Sequence, residues 1–157
     1  SDKELCAQIL FSVGLAKSME EAKESVNKEF VRGDRYILAE DEGKIVGLVT
    51  WLPHGSPRHE LIELYHIGIL SEERKKGVAS LLFQQLEHDA NNYLQSKGFR
   101  LRKLFILTHE DNIAAKKFYE KMGAHQEAVL KKHFGNRDEV MIVKFYEEGC
   151  VFQNNSS

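Results

Sequence analysis

The sequence predicts a single domain of the α/β (α+β) class, built as a mixed central β-sheet flanked by helices. Three observations predict it. Periodic segments follow one another in the order α-α-β-β-β-α-β-α-β-β, so helices interleave with strands. A strand, a long helix and another strand run from Glu60 to Thr108, which demands a parallel pair with a right-handed crossover. The chain has 157 residues, 42% of them hydrophobic, and a chain of that length buries roughly 70% of its extended surface on folding, enough for a core without staples.

Each element has a local cause. Over residues 3–14, Leu5, Ile9, Leu10 and Val13 recur at helical spacing, and Gly14 can stop the helix. Ser18 followed by Glu21 matches a capping box, opening a helix to about Phe30 with Ala22, Val26 and Phe30 on one stripe. Gly33-Asp34 breaks it. Arg35 to Glu40 and Lys44 to Leu52 read as strands joined by the turn Asp41-Glu42-Gly43. Pro53 to Pro57 is a loop. Glu60 to Leu70 is nearly continuously apolar, which predicts a central strand covered on both faces. Gly77 to Lys97 is a long helix, with Val78, Leu81, Leu82, Leu86, Ala90, Tyr93 and Leu94 at three- and four-residue intervals and Gly98 as its stop. Leu101 to Thr108 is a strand. Asp111 to Met122 is a helix with Ala115, Phe118, Tyr119 and Met122 on one face. Ala124 to Phe134 and Glu139 to Tyr146 are strands joined at Gly135-Asn136. Residues 1–147 read as one domain and 148–157 as a frayed tail.

Composition excludes several functions. Lys plus Arg is 22 and Asp plus Glu is 24, a net charge of -2, too little cation for a general nucleic-acid binder. Cys6 and Cys150 stand near opposite ends and no CxxC occurs, which argues against a zinc ribbon or a redox pair and fits a reducing cytoplasm. No apolar run reaches the ~20 residues of a membrane span, and no signal-peptide pattern opens the chain. The expectation is a cytoplasmic protein with no membrane partner. No HxxxH or HExxH pair exists among the histidines, so no metal is expected.

The most informative stretch is Ser71-Glu72-Glu73-Arg74-Lys75-Lys76-Gly77-Val78-Ala79, between a buried strand and a long helix. A helix start presents N–H groups without internal partners and a partial positive charge. Gly77 and Ala79 let a ligand approach the backbone, and three cations precede them. Together they suit a pyrophosphate. Neither a Walker loop nor GxGxxG is present, so an NTPase or a Rossmann cradle is not indicated.

The string Arg74-Lys75-Lys76-Gly77-Val78-Ala79 resembles the R/Q-x-x-G-x-G/A signature of the GNAT N-acetyltransferase superfamily. The stretch from Asn112 to Ala124, Asn-Ile-Ala-Ala-Lys-Lys-Phe-Tyr-Glu-Lys-Met-Gly-Ala, is similar to that superfamily's N-x-x-A-x-x-x-Y-x-x-x-G-F segment, with Ala124 replacing the aromatic. The two motifs are separated by one helix and one strand, as in the superfamily, and the resemblance covers about Arg35 to Phe145. The superfamily's first strand is not evident, since helical character begins almost at Ser1.

The resemblance implies acetyl-CoA as the acyl donor and a small-molecule or peptide amine as the acceptor, by direct attack. Arg74, Lys75, Lys76, Gly77, Val78, Ala79 and Ser80 would hold the pyrophosphate. Ile67, Gly68 and Ile69 would pair with the pantetheine arm as an added strand, with Gly68 as a bulge and a backbone N–H there polarising the thioester carbonyl. Asn112, Ala115 and Phe118 would line the donor, and Tyr119 would both line it and protonate the leaving thiolate. Glu63, eleven residues before Arg74, is the first candidate for the base; His66 and His109 are the second. Deprotonating a lysine-like amine at neutral pH costs roughly 4.6 kcal/mol against about 1 for an α-amine, so a base matters most for alkylamines. The rival readings are a non-catalytic acyl-CoA-binding regulatory module on the same fold, and a protein N-terminal or lysine acetyltransferase. The strand Leu104 to Thr108 lacks the carboxylate common in acetylases of ribosomal-protein N-termini, which lowers that alternative. A homodimer is compatible with the resemblance.

Overall fold

The computed structural model describes residues 2–155. The order of elements is the one the sequence predicts: α1 (Asp2–Ser12), α2 (Met19–Arg32), β1 (Arg35–Asp41), β2 (Lys44–Pro53), β3 (Leu61–Ile69), α3 (Val78–Ser96), β4 (Lys103–His109), α4 (Ile113–Lys121), β5 (His125–Phe134) and β6 (Arg137–Phe145). Short 3-10 turns at Pro57–His59 and Ser71–Glu73 precede β3 and α3. The strands form one mixed sheet in the order β1-β2-β3-β4-β6-β5. The chain divides into two compact units, residues 2–52, 65–89 and 152–155 in the first and 53–64 and 90–151 in the second.

The first unit is built on a helical pair and a hairpin. Cys6, Ile9, Leu10 and Val13 of the first helical segment pack with Ala22 and Val26 of α2 and with Val46, Leu48 and Leu70. Each such aliphatic burial contributes about 1.5–3 kcal/mol. Leu5 lies off that stripe and is exposed. The predicted capping box is present in altered form: the Ser18 hydroxyl accepts from the Glu21 N–H, while the Glu21 carboxylate accepts from the N–H of Lys17 rather than of Ser18. Between β1 and β2, Glu42 and Gly43 both have positive φ (49° and 79°), the turn whose twist matches paired antiparallel strands.

The second unit holds the antiparallel strands β4, β5 and β6 together with α4. β4 pairs with β6 from Lys103↔Phe145 to His109↔Glu139, and β6 pairs with β5 through two irregular registers. The first residues of β3 join β4 in parallel at Leu61↔Lys103, Ile62↔Leu104 and Glu63↔Phe105. Leu104, Ile106, Tyr119, Val140, Ile142 and Val143 are buried.

Two expectations are corrected. β3 is central in strand order but is not covered on both faces. Tyr65 is 40% exposed, and Glu63 and His66 are only half-buried. Those polar side chains interrupt the apolar run and need water or partners. On α3, Leu81 is 51% exposed although its spacing placed it on the stripe; Leu82, Phe83, Leu86, Ala90 and Leu94 make the buried face. The tail beyond β6 carries neither helix nor strand through Asn155, yet the Asn155 N–H donates to Gln85 Oε1 at 2.6 Å and its amide to the Leu81 carbonyl. Residues 156 and 157 of the predicted tail lie outside the described residues, as does Ser1. Among the described residues no helix is long and apolar enough to cross a membrane.

Candidate active site

In the first unit, the chain leaves β3 through the 3-10 turn Ser71–Glu73 and reaches α3 by two left-handed residues, Lys75 (φ 64°) and Gly77 (φ 82°). Reversals of this kind turn backbone N–H groups toward a common side, the geometry of an anion nest. A Cβ built on Gly77 would meet nothing within 4 Å, so the space over the helix start is open. The basic triplet is not a uniform patch. Arg74 turns its Nε back to the Ile69 carbonyl at 3.4 Å, and Lys76 pairs with Glu73 at 3.1 Å. Lys75 and Gly77 are exposed, while Val78, Ala79 and Ser80 are half-buried in the first turn of α3.

Ile67, Gly68 and Ile69 close β3 just before this loop, Ile69 buried and the other two half-buried. Glycine at 68 has a packing cause: a Cβ there would lie 2.6 Å from Val13 Cγ2. His66 beside them is engaged. Its Nε2 is 2.7 Å from Oε1 of Glu29, and its N–H donates to Thr50 Oγ1 at 3.0 Å. Glu29 is buried on α2 and also accepts from the Tyr36 hydroxyl. Sequence reading placed Glu29 on no functional list, because a glutamate in an amphipathic helix ordinarily faces water.

In the second unit, Asn112 caps α4, its Oδ1 accepting from the Ala115 N–H at 3.1 Å. Ala115 and Phe118 are half-buried on the next turns. Tyr119 is buried, its ring edge-on to Phe118 at 5.4 Å, and burial pushes its phenol well above the usual tyrosine range. The hydroxyl is therefore held protonated at every physiological pH.

Glu63 is the last β3 residue in the ladder with β4. Its side chain is 12% exposed and sits 2.7 Å from Nε2 of His54. His54 is in turn held by its own N–H to the Leu61 carbonyl at 2.9 Å and by its ring, edge-on to Phe105 at 4.9 Å. Sequence reading missed this partner. The signal was a histidine just after a strand end, nine residues from Glu63, but the pairing depends on how the β2–β3 connection folds back. His109, the other candidate base, lies against buried Glu139, its register partner on β6. Among the described residues, no three His, Cys, Asp or Glu side chains are grouped to hold a metal ion.

The profile of the acetyltransferase (GNAT) family matches residues 7–124. The chain belongs to this family. Its sequence is 29% identical to human N-acetyltransferase 8 over 94 residues, which cover 59% of the chain and 39% of that protein. The match thus spans well under half the length of the relative. Among solved structures, an aminoglycoside 6'-N-acetyltransferase complexed with coenzyme A aligns with a TM-score of 0.71 at 18% identity, covering 91% of this chain and 89% of the other. A mutant of the spermidine N-acetyltransferase from Vibrio cholerae aligns with a TM-score of 0.69 at 22% identity, covering 92% and 89%. At such identities these likenesses speak for the fold of a GNAT acetyltransferase.

Proposed function

We propose that this GNAT family member is an acetyl-CoA-dependent N-acetyltransferase that transfers an acetyl group to a primary amine of a small molecule or peptide by direct attack. One observation carries the reading: the two left-handed residues that open α3 beneath unfilled space at Gly77. The first turn of a helix leaves N–H groups without internal partners, and a diphosphate is a ligand they suit. The donor is a substrate here, and the residues fit it.

In this reading Arg74 to Ser80 hold the diphosphate, Lys75 adding charge. The N–H and C=O groups of Ile67, Gly68 and Ile69 pair with the pantetheine amides, and an N–H among them polarises the thioester carbonyl. Ala115 and Phe118 offer apolar surface to the donor; Asn112 holds the start of α4. Tyr119 donates the proton that the leaving thiolate needs. Its raised pKa keeps that proton in place, and makes the transfer more uphill than for an ordinary phenol, so positioning has to supply the difference. Glu63 supplies the carboxylate of the base. Small-molecule amines are favoured as acceptors because some of the solved structures that align over most of the chain are named for aminoglycosides and spermidine.

The test has two stages. Coenzyme A at 100 times its Kd should stabilise the protein by roughly 2.7 kcal/mol in thermal denaturation. Thiol release from acetyl-CoA is then followed with a panel of amines. Stabilisation without turnover on any amine would leave the non-catalytic acyl-CoA module in its place, and no stabilisation would remove both.

A further inference from the structure

We propose that His54 accepts the proton of the incoming amine and that Glu63 is the residue that positions it; this rests on the acetyltransfer reading above. The pair is close, 2.7 Å between His54 Nε2 and Glu63 Oε1, and lies in one compact unit. A carboxylate only accepts, so the proton between them belongs to Nε2, and the neutral ring then carries its lone pair on Nδ1. No hydrogen bond to Nδ1 of His54 exists among the described residues. The ring cannot swing freely. It is clamped by the backbone bond to Leu61, by the edge of Phe105 and by Glu63 itself. Exposure divides the roles in the same sense: the Glu63 side chain is 12% exposed and that of His54 is 39%. The carboxylate is the sheltered member and the imidazole the one that reaches solvent. The chemistry agrees, since an imidazole is intrinsically a stronger base than a carboxylate and so the better acceptor of an ammonium proton.

The step balances as follows. The ammonium gives one proton to Nδ1, and the freed lone pair attacks the thioester carbonyl carbon. The C–N bond forms and the C–S bond breaks, and the thiolate takes the phenol proton of Tyr119. The second amine proton, shed as the amide forms, restores the Tyr119 phenol, and the His54 imidazolium returns its proton to water.

The experiment compares the whole chain with its His54→Ala variant, using acetyl-CoA with spermidine, kanamycin and an α-amino ester. The variant should bind coenzyme A as the wild type does, which controls for folding. Its kcat should fall about a hundredfold with spermidine and kanamycin, and by much less with the less basic α-amino ester. Added imidazole should restore part of the lost kcat in His54→Ala and leave the wild type and Glu63→Ala unaffected. Equal losses on all amines with no response to imidazole would show that His54 is only a structural contact and overturn the assignment; so would an unchanged kcat. A wild type that binds coenzyme A but releases no thiol with any amine would instead bring down the acetyltransfer reading, and this inference with it.

Discussion

Replacing Gly77 separates backbone strain from ligand repulsion, because the structure puts the two costs on different measurements. The residue has φ 82°, and a Cβ would meet nothing within 4 Å. Gly77→Ala therefore introduces no clash, only a left-handed conformation for a residue with a side chain, at about 1–2 kcal/mol. For a chain of this size each kcal/mol lowers Tm by about 2–4 °C, so the expected shift is roughly 2–8 °C. Gly77→Glu carries the same backbone cost, since its longer side chain also enters open space. Its added effect falls on the ligand. A carboxylate ~5 Å from one phosphate charge, at an effective dielectric near 20, is unfavourable by about 3 kcal/mol, before any steric closure of the nest. Coenzyme A affinity measured by titration calorimetry should fall by at least ~100-fold in Gly77→Glu and far less in Gly77→Ala. Equal Tm losses together with wild-type affinity in Gly77→Glu would refute the phosphate assignment, because the diphosphate would then lie somewhere else.

Other outcomes follow from single side chains. Tyr119→Phe should lower kcat by at least ~100-fold with coenzyme A affinity nearly unchanged; equal turnover in steady-state assays would remove the phenol as the acid. Gly68→Ala should destabilise by about 1–3 kcal/mol in urea unfolding, because its methyl would sit 2.6 Å from Val13 Cγ2; an unchanged midpoint would mean that the turn after α1 yields freely there. Burial, with the Asp2 and Glu29 charges behind it, pushes the Cys6 thiol from 9.0 up to about 11. A raised folded pKa contributes stability that is whole below pH 9 and is lost as the pH climbs through 11. Unfolding midpoints from pH 8 to 11 should thus fall more steeply in the wild type than in Cys6→Ala, and parallel slopes would contradict it.

Much of this architecture is legible in the chain because it depends on near neighbours. Periodicity sets the order of elements and Ser18 marks the start of α2, each within a turn of chain. The same holds for the nest: a glycine after three cations at a helix start needs only local sequence to declare itself, and the family motifs run through it. The failures share one cause. Leu81 obeys the helical spacing yet faces water, and β3, whose apolar run predicts cover on both faces, leaves Tyr65 exposed. Periodicity says which residues share a face, and cannot say whether another element packs on it. Side-chain partners over long separations were invisible for the same reason. Glu29 and His66 stand far apart in sequence and meet only because folding brings these side chains of α2 and β3 together, and His54 meets Glu63 only because the chain doubles back between β2 and β3. The sequence by itself thus determined which elements form and in what order, since those are contests between adjacent residues. Tertiary structure alone decided that Glu29 meets His66, Glu139 meets His109 and Glu63 meets His54, because a carboxylate taken from water must find a partner wherever folding places one.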